Sequence, residues 1–145
     1  MKEKIKRISM LTIMLGLPLT GLTAGVSDEQ NAVDVVNQYY SFVNTHKLKD
    51  AYMLWDNNGK NSGKSFKAFS EGYADTESVK LLTFPKKARM EGAAGSTFIT
   101  LPVKLESKGK NGEHSWFTGT YVLRKKNAIR DSGWKIYSAQ LKRNF

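Results

Sequence analysis

The 145-residue sequence contains no cysteine and only two histidines. The lack of cysteine excludes disulfides, cysteine-ligated zinc or iron–sulfur sites and a cysteine nucleophile. His46 and His114 are far apart in the sequence and have no neighbouring carboxylates at metal-ligand spacing, so we predict no metal site and no cofactor. Acidic residues are scarce as well: 13 Asp and Glu accompany 23 Lys and Arg, which gives a net charge of +10.

Nucleotide-binding and hydrolase motifs are also missing. There is no Gly-x-Ser-x-Gly nucleophile elbow, and Gly63-Lys64-Ser65 is a fragment of a phosphate-binding loop in which Asn58 replaces the required first glycine. The composition is 40% hydrophobic, 11% aromatic and 25% charged, which is typical of one globular domain. It excludes a disordered, collagen-like or multispan membrane protein.

The N-terminal segment has the three parts of a secretory signal peptide. Four basic residues lie within the first seven positions, an uncharged apolar stretch covers 8–22, and Ala24 follows as a small residue. The apolar stretch is about 15 residues long, short of the ~20 that span a bilayer. We therefore predict a cleaved signal peptide over 1–24, a single domain over 25–145, and a periplasmic or secreted location.

The first half of the remaining chain has helical periodicity. Ser27 to Gln30 forms a capping-box pattern, in which the Ser27 hydroxyl accepts a backbone N–H and the Gln30 side chain reaches back. Apolar residues then recur at three- and four-residue steps to about Asn44. Shorter helices are predicted around 48–55 and over 65–73, separated by a polar loop.

The second half has the two-residue periodicity of β-strands. Strands are predicted over 78–84, 87–91, 97–108, 114–125 and 134–142. Pro102 within the third and Gly119 within the fourth indicate a bend, an edge or a close approach of backbones. The expected fold class is α+β, with the helices packed on one face of a strongly curved, mostly antiparallel, cone-like sheet.

This order of elements, with several local phrases, resembles the nuclear-transport-factor-two-like (SnoaL-like, cystatin-like) superfamily. The phrases are Tyr39-Tyr40, Ala51-Tyr52-x-Leu54-Trp55, Phe69-x-x-Gly72-Tyr73-Ala74-Asp75-Thr76, Glu91-Gly92-Ala93-Ala94-Gly95-Ser96, Leu101-Pro102-Val103 and Gly119-x-Tyr121-Val122-Leu123-Arg124. The resemblance is to small exported bacterial proteins of unassigned role. It also implies a comparison with isomerases and dehydratases of the superfamily, which place acid–base residues inside the cone.

A set of aromatic side chains on the helices and strands is predicted to pack between the helices and the sheet. They either fill the core or line an apolar pocket with hydroxyl groups. The candidate ligand-binding residues are Tyr39, Tyr40, Trp55, Phe69, Tyr73, Phe117, Tyr121 and Trp134.

No catalytic residue is assigned, because no carboxylate interrupts the inward-facing positions of the long strands. Asp75 is either a base at the cavity mouth or a residue that caps the end of the third helix. Glu91 and Arg124 are candidates for an ion pair.

The predicted function is that of an exported, non-enzymatic domain that binds an apolar ligand or an envelope protein. The alternatives are a ketosteroid-isomerase-like enzyme with a cavity carboxylate and a component of an envelope or secretion assembly. Basic clusters at strand ends could meet an anionic envelope surface, or they serve solubility. Nucleic acid is not expected as a partner, because these clusters lack stacking aromatics. A homodimer through the sheet would require an apolar outer face, for which Phe98, Trp116 and Val122 are the candidates.

Overall fold

The computed structural model describes residues 25–130 and 132–145. The predicted signal peptide lies outside these residues, so its prediction and that of cleavage after Ala24 are untested. Among the residues that are described, no helix has the length and apolarity needed to cross a membrane.

The first helix, α1, covers Asp28–Asn44 and begins at the predicted cap. The Ser27 hydroxyl accepts the Gln30 backbone N–H at 3.1 Å, which satisfies one of the free donors of the first turn. The Gln30 side chain donates instead to Asp34 Oδ1 at 2.8 Å. The Gln30 side chain is thus directed along the helix, and no hydrogen bond joins the Ser27 backbone N–H to the Gln30 amide oxygen in the described part of the chain, so only the Ser27 half of the capping box forms.

Two short helices follow. Helix α2 covers Leu48–Met53 and helix α3 covers Phe66–Gly72, with a 3₁₀ turn over Lys60–Ser62 between them. The Ser65 hydroxyl caps α3 by accepting the Ala68 backbone N–H at 3.1 Å. The three predicted helices are thus present.

Five antiparallel strands form one open sheet. They are β1 (Thr76–Thr83), β2 (Arg89–Ala93), β3 (Ser96–Gly109), β4 (His114–Lys126) and β5 (Trp134–Asn144). The order is β1-β3-β4-β5, and β2 pairs with the remaining part of the β3 edge that β1 leaves free.

Pro102 lies at the gap between β1 and β2. Thr83 pairs with Val103 and Arg89 with Thr100, so the chain between the two short strands passes beside Pro102. The Pro102 carbonyl accepts the Phe84 N–H at 3.0 Å. Because the N and C=O of a strand residue point to the same side, the missing N–H faces this gap and breaks no bond to β4.

Gly119 allows β4 and β5 to approach closely. A Cβ placed on Gly119 would lie 1.8 Å from the Gln140 carbonyl oxygen, so any side chain would force the strands apart. Further along the pair, the register shifts at Val122 and Leu123 and leaves Tyr137 as an extra residue of β5. Such a bulge increases the local twist of a sheet.

The helices pack on one face of this sheet, which confirms the predicted α+β class. The buried face of α1 contributes Val36, Tyr39, Tyr40 and Val43, and the inner face of β3 and β4 contributes alternate residues. These strand residues are Ile99, Leu101, Val103, Leu105, Tyr121 and Leu123. The sheet remains open, so its concave face and the helices enclose a space that has a mouth.

Candidate functional site

A cavity of about 430 Å³ lies between the helices and the inner face of the sheet. Its walls come from α1, the loop after α2, α3 and all of the strands except β2. Seven of the eight predicted site residues line it: Tyr39, Tyr40, Trp55, Phe69, Tyr73, Phe117 and Tyr121.

Trp134, the eighth predicted residue, does not line this cavity. It opens β5 opposite Lys125 and contributes to a separate groove beside Val35 and Gln38 of α1. The Lys125 ammonium lies 5.4 Å from the Trp134 ring centre. The indole is buried, so it closes the core near the start of α1 instead of facing the cavity.

Four tyrosines line the cavity: two lie on α1, one follows α3 and one lies in β4. Tyr39 and Tyr40 lie three and four positions after Val36, about one helical turn further on, within the wide apolar face of α1. Tyr73 follows the last residue of α3. Tyr121 lies in the middle of β4, between Leu101 of β3 and Ala139 of β5.

The four hydroxyls form two hydrogen-bonded pairs inside the apolar wall. Tyr39 Oη is 2.9 Å from Tyr73 Oη, and Tyr40 Oη is 2.5 Å from Tyr121 Oη. The rings pack edge to face, with the Tyr39 and Tyr40 centres 4.8 Å apart. Because each partner comes from a distant part of the chain, the pairs connect α1 to α3 and to β4.

Burial raises the pKa of all four phenols, since a phenolate in this wall would lose its hydration. Repulsion from the neighbouring phenols raises the pKa of Tyr39, Tyr40 and Tyr121 further. For Tyr73 the hydrogen bond to Tyr39 and the nearby hydroxyl of Tyr40 lower the pKa and so oppose the effect of burial without reversing it. The cluster is therefore neutral at physiological pH.

The hydrogen bonds between the tyrosines do not use every hydroxyl hydrogen of the cluster. In a pair of hydroxyls one O–H donates, and the hydrogen of the other is left over. If contact between Tyr73 and Tyr40 joined the pairs into one open chain, one hydrogen would still remain. The indole N–H of Trp55, another wall residue, has no hydrogen bond of good geometry within the described part of the protein, but it lies near enough to the Tyr39 oxygen to act against the rise in the pKa of that phenol. A ligand oxygen that reaches the tyrosine pairs can accept the hydrogen that a pair leaves over.

The polar groups of the cavity are graded by depth. The tyrosine pairs lie among buried side chains, whereas Ser62, Lys64, Thr76 and Ser107 are partly or fully exposed at the mouth. Lys64 is the one charged side chain in the lining, as far as the structure describes the chain. The sequence pointed to Lys64 only through a phosphate-loop fragment that does not form such a loop.

Asp75 and Arg124 lie away from this cavity. Asp75 is exposed and lines a polar depression with Lys110 and Arg143. Arg124 pairs with Asp56 and not with Glu91: its Nη2 and Nε both lie 2.6 Å from Asp56 Oδ2. The sequence did not identify Asp56 as the partner of Arg124, because nothing in a polar loop indicates which of its side chains is buried.

No protein-family model and no curated protein matches the sequence. Solved structures do match it. A candidate dehydratase of the NTF2-like family from Streptomyces avermitilis is 14% identical, with a TM-score of 0.57 over 81% of this chain and 96% of that one. A candidate scytalone dehydratase from Novosphingobium aromaticivorans is 8% identical, with a TM-score of 0.57 over 80% and 83%. The CaMKII hub of S. rosetta is 14% identical, with a TM-score of 0.52 over 83% and 100%. At these identities the likeness establishes the fold.

Proposed function

On the premise that the chain has the nuclear-transport-factor-two-like fold, we propose that it is a small exported, non-enzymatic domain that binds a mainly apolar ligand bearing an oxygen acceptor. The observation that carries the proposal is the donor-rich tyrosine cluster inside an apolar cavity. A volume of about 430 Å³ is of the order found for small-molecule sites, which run from roughly 300 to 1,000 Å³.

The chemistry of the cluster favours binding. A neutral phenol donates a hydrogen bond to a carbonyl, ether or carboxylate oxygen, but it is a poor proton acceptor near pH 7. The remaining wall is formed by aromatic and aliphatic side chains such as Phe69, Val79, Leu105 and Phe117. Such a site holds an apolar body by burial and orients it by one or two hydrogen bonds.

An isomerase- or dehydratase-like enzyme is the alternative, and the names of the similar structures favour testing it. That mechanism needs a base next to the bound substrate, for which the sequence suggested Asp75. The Asp75 carboxylate is exposed in the depression beside Lys110, and Asp75 does not line the cavity. Turnover of an enolisable ketone that persists in Asp75→Asn but is lost in the tyrosine variants would support an enzyme with a different base.

Export is proposed from the N-terminal sequence. Cleavage after Ala24 would leave Ser27 in place as the cap of α1. Expression in a bacterium, followed by N-terminal sequencing of the exported protein, should give a chain that starts at Gly25. Retention of Met1 on the exported or membrane-bound protein would contradict cleavage.

The binding proposal is tested with two ligands of nearly equal shape, 2-acetylnaphthalene and 2-ethylnaphthalene. Calorimetric titration should show the ketone binding about three- to tenfold more tightly, because only the ketone accepts a hydrogen bond. The double variant Tyr40→Phe/Tyr121→Phe should reduce this preference, whereas Tyr137→Phe, a change at a partly exposed ring outside the cavity, should retain it. Equal affinity for the two compounds, or binding of neither at millimolar concentration, would refute the proposal.

A further inference from the structure

The loop that carries Lys64 is fixed against the wall of the cavity. Tyr52 donates its hydroxyl to the Lys64 carbonyl at 2.7 Å, and the Lys64 N–H donates to Ser62 Oγ at 3.3 Å. The Tyr52 ring packs edge to face on Phe66 and Phe69, at 5.5 and 5.2 Å between ring centres. Since Phe69 is itself a wall residue, the backbone of Lys64 is held at a constant position beside the mouth.

Gly59 makes this attachment tight. Its φ is +90°, and a Cβ there would lie 2.1 Å from the Tyr52 ring. The loop therefore runs directly over the tyrosine that holds Lys64.

The ammonium of Lys64 has no carboxylate partner among the described residues. The lysines that do form ion pairs elsewhere are Lys67 with Glu71, Lys108 with Glu77 and Lys125 with Asp28. The other polar side chains at the mouth, Ser62, Thr76 and Ser107, are neutral hydroxyls. The mouth thus has a local positive charge, together with hydroxyl donors.

From this arrangement we infer that the ligand is an amphipathic acid, whose carboxylate or other anionic group pairs with Lys64 at the mouth while its apolar body lies against the buried aromatic wall. The inference rests on the proposed binding function and specifies its ligand class. The buried tyrosines select an oxygen acceptor, and Lys64 adds selection for a negative charge at the opposite, solvent-facing end. Because the two ends of the cavity select different groups, the ligand enters with its anionic group facing the mouth.

The test compares 6-acetyl-2-naphthylacetate with 6-acetyl-2-naphthylacetamide, which have the same shape and the same ketone oxygen at the far end but differ in charge. In calorimetric titrations of the full chain, the acid should bind roughly fivefold more tightly than the amide. Lys64→Gln should abolish this ratio, Lys64→Glu should invert it, and Lys64→Arg should preserve it. Lys60→Gln is the matched control, because it removes the same charge from an exposed position of the same loop that does not line the cavity.

Two results would overturn the inference. One is equal affinity of the wild-type protein for acid and amide, which would leave the proposed function intact. The other is an equal effect of Lys60→Gln and Lys64→Gln, because that would trace the preference to the overall positive charge of the chain. Failure of both compounds to bind would instead refute the proposed function itself.

Discussion

The Tyr40–Tyr121 pair shows how a single buried hydrogen bond connects the two halves of this fold. Both side chains are almost fully buried, and their hydroxyls are each other's partner across 81 positions of sequence. A buried hydroxyl that loses its partner keeps the desolvation cost without the bond, and this costs about 1–3 kcal/mol. Removing both hydroxyls changes the shape of the core little, and it leaves neither hydroxyl of the pair buried without a partner.

The consequence is a non-additive pair of substitutions. Tyr40→Phe and Tyr121→Phe should each lower the free energy of unfolding by about 1–2 kcal/mol, and the double variant should lose less than the sum of the two. Urea unfolding monitored by circular dichroism measures all four corners of the cycle. Strict additivity would mean that the two hydroxyls do not act as a pair.

The raised pKa values of Tyr39, Tyr40, Tyr73 and Tyr121 predict alkaline unfolding. The unfolded chain releases phenolic protons above about pH 10, while the folded chain retains them, so the unfolded state becomes favoured as pH rises. Below that pH the contribution is fully present. Each of these tyrosines should take away up to about 1.4 kcal/mol per pH unit above pH 10.

Urea unfolding at a series of pH values from 8 to 11.5 measures this slope. The Tyr121→Phe variant, which has one ionising group fewer in the cavity, should show a shallower decline than the wild type. A free energy of unfolding that stays constant from pH 9 to 11.5 would show that the cluster ionises as readily in the folded state.

At the scale of elements, the segment after α2 is attached to the edge of β5. Trp55 forms a parallel bridge with Ile136, and the Asp56 N–H donates to the Ile136 carbonyl at 2.7 Å. The Asn61 side chain donates to the Tyr137 carbonyl at 3.1 Å. The loop thus covers part of an edge strand and at the same time delivers Ser62 and Lys64 to the cavity mouth.

The Asp56–Arg124 pair should contribute measurably to this attachment. Asp56→Ala would leave the guanidinium of Arg124, which also lies 5.2 Å from the Tyr137 ring centre, without its carboxylate. We expect a loss of about 2 kcal/mol in the free energy of unfolding, since the carboxylate is buried and the arginine partly so. Lys67→Ala breaks a largely exposed pair with Glu71 and should cost less than about 0.5 kcal/mol. Equal effects of the two substitutions in thermal unfolding would contradict a structural role for Asp56.

The elements themselves were predictable from the sequence, whereas several of their contacts were not. Local signals such as the Ser27 cap and the alternation along β3 mark where helices and strands lie. The burial of Asp56 and the position of Trp134 outside the cavity depend on how the α2–α3 loop and the start of β5 meet distant elements. Periodicity identifies an inward face, but it does not distinguish a cavity wall from a filled core.

At the scale of the whole molecule, the outer face of the sheet is a candidate for self-association. Trp116 is 52% exposed and Leu82 is 56% exposed, and both border a shallow groove between β1, β3 and β4. Phe98 and Val122, the other two predicted members of this patch, are half-buried, and Phe98 packs on Tyr137. The apolar surface is therefore concentrated at Trp116 and Leu82.

A homodimer formed by the sheet should accordingly depend on Trp116. Sedimentation of the wild-type protein between micromolar and millimolar concentration should show a monomer–dimer equilibrium, and Trp116→Glu should shift it to the monomer by placing a charge in the apolar contact. Met90→Glu, at an exposed position of β2 outside the Trp116 groove, is the matched control and should leave the equilibrium unchanged. A wild-type protein that sediments as a monomer at every concentration would exclude this dimer and leave the indole of Trp116 exposed.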